Sequence, residues 1–159
     1  MYNKILVPLD GSELAECVLP HLDAIARGCG TSNVVFMRVV EPVMTPGITG
    51  GEGYTYNEED AKRMEDQSRE NAKDYLRKIM QDRKYDGASV HSVVTVGKAA
   101  DAIADFAVKN EVDLIILATH GRSGVSRWVW GSVADRVLRS SCVPVFMIRA
   151  PGCVPGISG

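Results

Sequence analysis

Small and polar residues follow a short apolar run in the second half of the chain, at a spacing that suits anion binding. The run, residues 114–117, predicts a strand covered on both faces. The polar segment 119–124 contains two glycines, and Gly131 and Ser132 then precede residues at helical spacing. A helix N-terminus beyond the carboxyl end of a parallel strand offers N–H groups and a positive dipole end to a ligand. The layout therefore suggests a phosphate site.

The same glycines also fit an ordinary turn, with Ser132 as a plain N-cap of the following helix. The dinucleotide fingerprint G-x-G-x-x-G is absent, and so is the P-loop with its lysine. A phosphate bound here would thus be held without a Walker lysine. The spacing alone leaves both interpretations open.

Asp10 is the second residue that could do chemistry, because it follows the first predicted strand, residues 4–7, which Pro8 ends. An aspartate before Gly-Ser commonly forms an Asx turn or helps a cap at Ser12. It could also accept hydrogen bonds from a ribose or an adenine, or help to hold a divalent cation. The residue types allow either role.

Three sequence blocks carry a family resemblance. Ala118 to Gly121, nine further residues and then Gly131-Ser132-Val133 resemble the G-x2-G-x9-G-S/T motif of the universal stress protein family, in its ATP-binding branch. The opening residues 4–12 and the closing residues 142–148 are also similar to that family, so the resemblance covers nearly the whole chain. Ala118 is a departure, because the motif has glycine there, and an added methyl would crowd a close backbone approach.

The resemblance implies a fold, a ligand and an assembly. The fold is an open five-stranded parallel sheet of order 3-2-1-4-5 with helices on both faces, Rossmann-like and of the adenine nucleotide alpha hydrolase type. The ligand is ATP or AMP, with Mg²⁺ or Mn²⁺ at the phosphates, and the assembly is a homodimer through the C-terminal strand. The nucleotide-binding residues implied are Pro8, Leu9, Asp10, Val39, Leu117, Ala118, Thr119, Gly121, Arg122, Gly131, Ser132 and Val133.

The expected function is that of a nucleotide-binding stress-response sensor or regulator. A weak ATP-hydrolysing enzyme is the first alternative, for which His120 and Asp10 are the nearby candidates, although neither belongs to a recognisable catalytic motif. The second alternative is a nucleotide-free dimeric interaction module, which Ala118 favours.

Composition limits the remaining classes. The chain has 159 residues, 45% apolar and 24% charged, which predicts one globular domain over residues 1–149, with a mobile loop at 41–57 and a flexible tail at 150–159. A net charge of −2 argues against nucleic-acid or membrane binding. Without a signal peptide or membrane span, we expect a cytoplasmic protein with reduced thiols, and we expect Cys17 and Cys142 to be buried.

Strand and helix patterns alternate along the chain, which predicts parallel pairing. Pro20 lies inside a helical pattern that begins after Ser12, and it predicts a kink within one helix. Arg38 is the only charge in the predicted strand 34–40, and His91 is expected to be exposed on the next strand. A long helix follows the loop, with a predicted buried stripe of Ala61, Met64, Ser68, Ala72, Tyr75, Leu76 and Ile79.

Overall fold

Five parallel strands form the centre of the protein, in the order β3-β2-β1-β4-β5. The computed structural model describes residues 2–42, 58–81, 83, 85, 87–119 and 132–149. In chain order the elements are β1 (Lys4–Pro8), α1 (Glu13–Glu16), α2 (Leu19–Cys29), β2 (Asn33–Val40), α3 (Glu58–Gln81), β3 (Ser89–Val96), α4 (Ala99–Lys109), β4 (Leu114–Ala118), α5 (Ser132–Ser140) and β5 (Val145–Ile148). The predicted strand order and parallel pairing are confirmed. Within these described ranges, no helix has the length and apolar character needed to cross a membrane.

Apolar side chains cover both faces of the sheet because successive residues of a strand point to opposite sides. On one face Ile5, Val7 and Phe36 pack with side chains of α1, α2 and α3. On the other face Leu6 and Met37 pack with side chains of α4 and α5. The helix after β1 and the helix before β5 therefore lie on opposite faces.

The helical pattern around Pro20 is divided into two helices, so the prediction of one kinked helix is wrong. Helix α1 ends at Glu16, and α2 begins at Leu19 with Pro20 in its first turn. The first N–H groups of a helix have no acceptor within it, so proline is tolerated there without loss of a hydrogen bond. The chain starts a new helix at Leu19, which places Pro20 in its first turn.

Helix α3 is longer than the strands it covers, which explains an error in the predicted stripe. Its 24 residues span about 36 Å. The 8 residues of β2 span only about 26 Å. Ala72 and Leu76 are buried as predicted, but Met64 is 48% exposed. No residue between Glu59 and Asn71 is buried, so the first half of α3 extends past the sheet.

The cysteines differ in their environments. Cys17 is half-buried and packs against the core, and burial raises the pKa of its thiol. Cys142 is exposed, so the prediction that it is buried is wrong. It lies in the turn between α5 and β5, where the Ser141 hydroxyl accepts a hydrogen bond from Val143 N at 3.1 Å. This turn presents the cysteine to solvent. His91 is exposed, as predicted.

The starts of β1 and β4 are joined by one carboxylate. Asn3 N and Lys4 N both donate to Asp113 Oδ2, at 2.9 and 2.8 Å. Asp113 N in turn donates to Lys4 O at 2.9 Å. These bonds fix the register of the two strands whose other ends carry the candidate site.

Candidate functional site

The carboxyl ends of β1 and β4 lie side by side at one edge of the sheet. Ile5 pairs with Leu114 and Leu6 with Ile115. The hydrogen-bond ladder continues just past both strands, because Leu9 N donates to Met37 O at 2.9 Å and Thr119 N donates to Ile148 O at 2.8 Å. The turn after β1 and the residues after β4 therefore meet at the same edge, as the strand order implied by the family resemblance predicted.

Asp10 organises the turn after β1. Its Oδ1 accepts hydrogen bonds from Ser12 N at 3.0 Å and from Ser12 Oγ at 2.6 Å. Ser12 Oγ then accepts from Ala15 N at 3.2 Å, which makes Ser12 the N-cap of α1 as predicted. The Asx-turn role of Asp10 is confirmed. Because a carboxylate accepts several hydrogen bonds through its two oxygens, this role is compatible with contact to a ligand.

The backbone of Val39 points toward this turn. Residues of a strand alternate in the direction of their backbone polar groups. Met37 O accepts from Leu9 N on the β1 side, and Val40 O accepts from Gly97 N on the β3 side. The N–H and C=O of Val39 therefore point to the β1 side, next to the residues that follow β1. The Val39 side chain packs against the core on the face that α4 covers.

Ala118 fits its place without strain. It is the last residue of β4, where it pairs with Ile148, and its half-buried side chain packs against the core. Among the described residues other than glycine, only Glu111 has a positive φ, at 52°. The regular strand conformation of Ala118 does not require glycine.

The other predicted site residues fall into three groups. Leu9 and Leu117 are buried, and Pro8 and Thr119 are half-buried, all at the carboxyl edge. Ser132 and Val133 begin α5, and Val133 is 37% exposed. Three predicted residues lie outside the described part of the chain, and so does the alternative catalytic candidate: Gly121, Arg122, Gly131 and His120.

Arg38 is a residue at this edge that the sequence did not single out for a role. Its guanidinium Cζ lies 5.4 Å from the centre of the Tyr75 ring. A Cβ atom added at Gly11 would overlap Arg38 Nη1. Tyr75 Oη donates to Glu16 Oε1 at 3.0 Å. Burial is the larger cause, and this hydrogen bond the second, of a raised pKa of the Tyr75 hydroxyl. The sequence feature that could have indicated a role for Arg38 is its position as a lone charge in an otherwise apolar strand.

The part of the chain that the structure describes contains no preformed cluster of metal ligands. There, no group of three or more histidine, cysteine, aspartate or glutamate side chains could hold a metal ion. Asp10 is the carboxylate in the turn that follows β1.

The strand order, the helices on both faces and the polar turns at the carboxyl edge define an open α/β protein with a switch point between β1 and β4. The chain belongs to the universal stress protein family, which matches residues 1–149. The predicted family is confirmed.

Individual relatives align with this chain over almost its full length. Universal stress protein MJ0531 of Methanocaldococcus jannaschii is 28% identical over 151 residues, covering 95% of this chain and 84% of the relative. The solved structure of MJ0577 from the same organism has a TM-score of 0.81 at 27% identity, covering 96% of this chain and 99% of that one. A universal stress protein family protein from Arabidopsis thaliana, At3g01520, was solved with AMP bound; its TM-score is 0.57 at 15% identity, covering 94% and 93%. At that identity the likeness shows the fold alone.

Proposed function

We propose that this protein binds an adenine nucleotide, ATP or AMP, between the turn after β1 and the start of α5, and acts as a stress-response sensor or regulator. The observation that carries the proposal is the meeting of the Asp10 turn and the β4 end at one edge of the sheet. The AMP-bound relative with the same fold supports an adenine nucleotide as the ligand.

The topology supports this position for the ligand. Helix α1 packs on one face of the sheet through Ala15, and α5 packs on the other through Ala134 and Val137. Chain segments that leave neighbouring strands toward opposite faces open a crevice between them, and ligands of open α/β sheets bind in such crevices. The proposed site lies where β1 and β4 diverge in this way.

Each part of the nucleotide would meet a different element. The backbone N–H and C=O of Val39 would read the adenine edge, and Asp10 would accept hydrogen bonds from the ribose or the base. Leu9, Leu117 and Ala118 would form the apolar wall. The phosphates, with Mg²⁺ or Mn²⁺, would be held at the N-terminus of α5, where N–H groups and the helix dipole favour negative charge. The residues assigned to them are Thr119, Gly121, Arg122, Gly131, Ser132 and Val133.

The test is to identify and then titrate the nucleotide. Acid extraction of purified protein followed by mass spectrometry should release ATP or AMP, and calorimetric titration of the emptied protein with ATP and Mg²⁺ should give saturable heat. A Gly131→Val, Ser132→Ala double variant should weaken ATP binding by at least about tenfold, because it blocks backbone approach and removes a hydroxyl.

A matched double variant serves as the control. Gly28 has no atom within 4 Å of an added Cβ, and Ser140 lies in the last turn of α5, so Gly28→Val with Ser140→Ala should bind ATP like the wild type. Equal binding by both double variants would contradict the assignment of the phosphate site. No nucleotide and no heat with the wild type would contradict nucleotide binding and favour a nucleotide-free interaction module.

The proposal includes a homodimer through β5. This strand lies at the edge of the sheet, and Phe146 on it is 42% exposed. Pro144 O and Ile148 O accept hydrogen bonds from the β4 side, so by alternation the N–H of Met147 points outward from the sheet. An open edge of this kind favours pairing with a second strand.

Sedimentation equilibrium at micromolar concentration should therefore give a dimer. Met147→Pro should give a monomer, because proline removes an outward N–H while leaving the β4 side of the strand intact. Met147→Ala loses the same side chain but keeps the N–H, so it should remain a dimer. A wild-type monomer would contradict the proposed assembly.

A further inference from the structure

Arg38 occupies a position between three elements at the carboxyl edge. It precedes Val39 in β2, and its side chain lies on the same face of the sheet as that of Phe36, since alternate residues share a face. On that face the guanidinium reaches Gly11, in the turn after β1, and lies over the ring of Tyr75 in α3. The planar cation therefore fills the space between the turn and the helix.

Gly11 is matched to this arrangement in two ways. Its φ is +83°, a conformation that side chains rarely adopt. Any side chain there would also have to displace the end of Arg38. The close approach of Arg38 to the backbone of the turn therefore depends on the absence of a Cβ atom.

Tyr75 connects the same cluster to α1. Its hydroxyl donates to Glu16, while its ring supports the Arg38 guanidinium. Burial and the hydrogen bond to Glu16 raise the pKa of the Tyr75 hydroxyl, the charge of Asp10 adds a smaller increase, and the positive charge of Arg38 opposes it. A cation over an aromatic ring is attracted by the ring's negative face, and partial burial strengthens that attraction.

We propose that Arg38 is a positioning residue that holds the turn of Asp10, Gly11 and Ser12 in place against Tyr75 and helix α3, so that Asp10 meets the bound nucleoside in a fixed orientation. The part of this inference that concerns the ligand rests on the proposed nucleotide binding. The hydrogen bonds between Asp10 and Ser12 fix the turn internally. Arg38 fixes where the turn lies relative to the sheet and α3.

This role differs in its consequences from a direct contact with phosphates. A positioning residue acts on the nucleoside part through Asp10, so its loss should weaken adenosine, AMP and ATP binding by the same factor. An arginine that contacts phosphates should matter more as the number of phosphates increases, because each adds negative charge near the cation. The two roles are therefore separable by the choice of ligand.

The first measurement uses the nucleotide-free protein. Amide hydrogen exchange at Ser12 and Ala15, followed by NMR, reports how firmly the turn and the start of α1 are held. Arg38→Ala and Tyr75→Leu should each speed exchange at these amides by about five- to tenfold, since local opening becomes easier. Arg38→Lys keeps the charge but loses the planar group, and it should show a smaller increase.

A matched control is Arg77→Ala, the same chemical change on α3 at an arginine that is 63% exposed and paired with Asp74. Exchange at Ser12 and Ala15 should be unchanged in this variant. Unchanged exchange in Arg38→Ala as well would overturn the positioning role, whether or not the protein binds nucleotide.

The second measurement titrates adenosine, AMP and ATP into the wild type, Arg38→Ala, Arg38→Lys and Arg77→Ala. We expect Arg38→Ala to weaken all three ligands by a similar factor of about five to ten, because an aligned hydrogen-bonding group is lost in each case. A loss that grows from adenosine to ATP, or no loss at all, would overturn the proposal. If the wild type binds none of the three, the proposed function fails, and the exchange rates alone decide whether Arg38 positions the turn.

Discussion

Replacing Phe36 by alanine is expected to lower the free energy of unfolding by about 3–5 kcal/mol, the range for a large aromatic side chain lost from a packed core. Phe36 is fully buried in the middle of β2, on the face covered by α1, α2 and α3. The loss combines the transfer free energy of the ring with the cavity that it leaves. Urea unfolding followed by circular dichroism measures the change, with an unchanged m-value showing that the transition is still two-state.

A surface substitution provides the comparison for Phe36. Val108 lies on α4 and is 57% exposed, so Val108→Ala removes little buried area. Alanine also has the higher helix propensity, and the free energy of unfolding should change by less than about 0.5 kcal/mol. Similar losses for the two variants would contradict the position of Phe36 at the centre of the core.

Replacing Asp113 by alanine is expected to lower the free energy of unfolding by about 2 kcal/mol, since hydrogen bonds to a charged acceptor contribute more than neutral ones. Asp113 Oδ2 accepts from Asn3 N and Lys4 N, and the change leaves both donors without this acceptor. The first of these bonds is exposed, so water replaces part of what is lost. Denaturant unfolding of the variant against the wild type measures the difference.

The control for Asp113 follows from the geometry of its two hydrogen bonds. Both go to the same oxygen, so an asparagine side-chain oxygen in that position can accept both through its two lone pairs. Asp113→Asn therefore removes the charge and keeps the bonds, and it should lose less than half as much stability as Asp113→Ala. Equal losses would mean that the charge, and not the acceptor geometry, joins the starts of β1 and β4.

Much of the fold could be predicted because its signals are local. Short apolar runs alternate with helical patterns, which requires parallel strands, and Pro8 marks the end of β1. The strand order came from the family resemblance, since periodicity alone does not order strands.

The effect of Pro20 could not be predicted, because a proline inside a helical pattern is compatible with either a kink or a new helix. The helical spacing of apolar residues continues through both α1 and α2, so it cannot distinguish one kinked helix from two helices.

The site divides in the same way between local and distant contacts. The Asp10 and Ser12 hydrogen bonds join residues two apart, and their residue types predicted the turn. The contact of Arg38 with Tyr75 joins β2 to α3 across many residues, and no periodicity reports such a contact. Met64 was predicted to be buried because its spacing fits the stripe, yet the pattern does not indicate where the sheet beneath it ends.

The length of α3 gives the protein two levels of local stability within one helix. From Ala72 onward its apolar side chains pack in or against the core, so amides there should open only together with the sheet. Before Ala72 the helix is supported by ion pairs one turn apart, Asp60 with Arg63 and Glu65 with Arg69, and a third pair, Glu70 with Lys73, spans Ala72. Exposed pairs of this kind contribute only about 0.3–0.5 kcal/mol each. We therefore expect the first half of α3 to unwind and re-form without exposing the core, and we expect substitutions there to change that local equilibrium more than global unfolding.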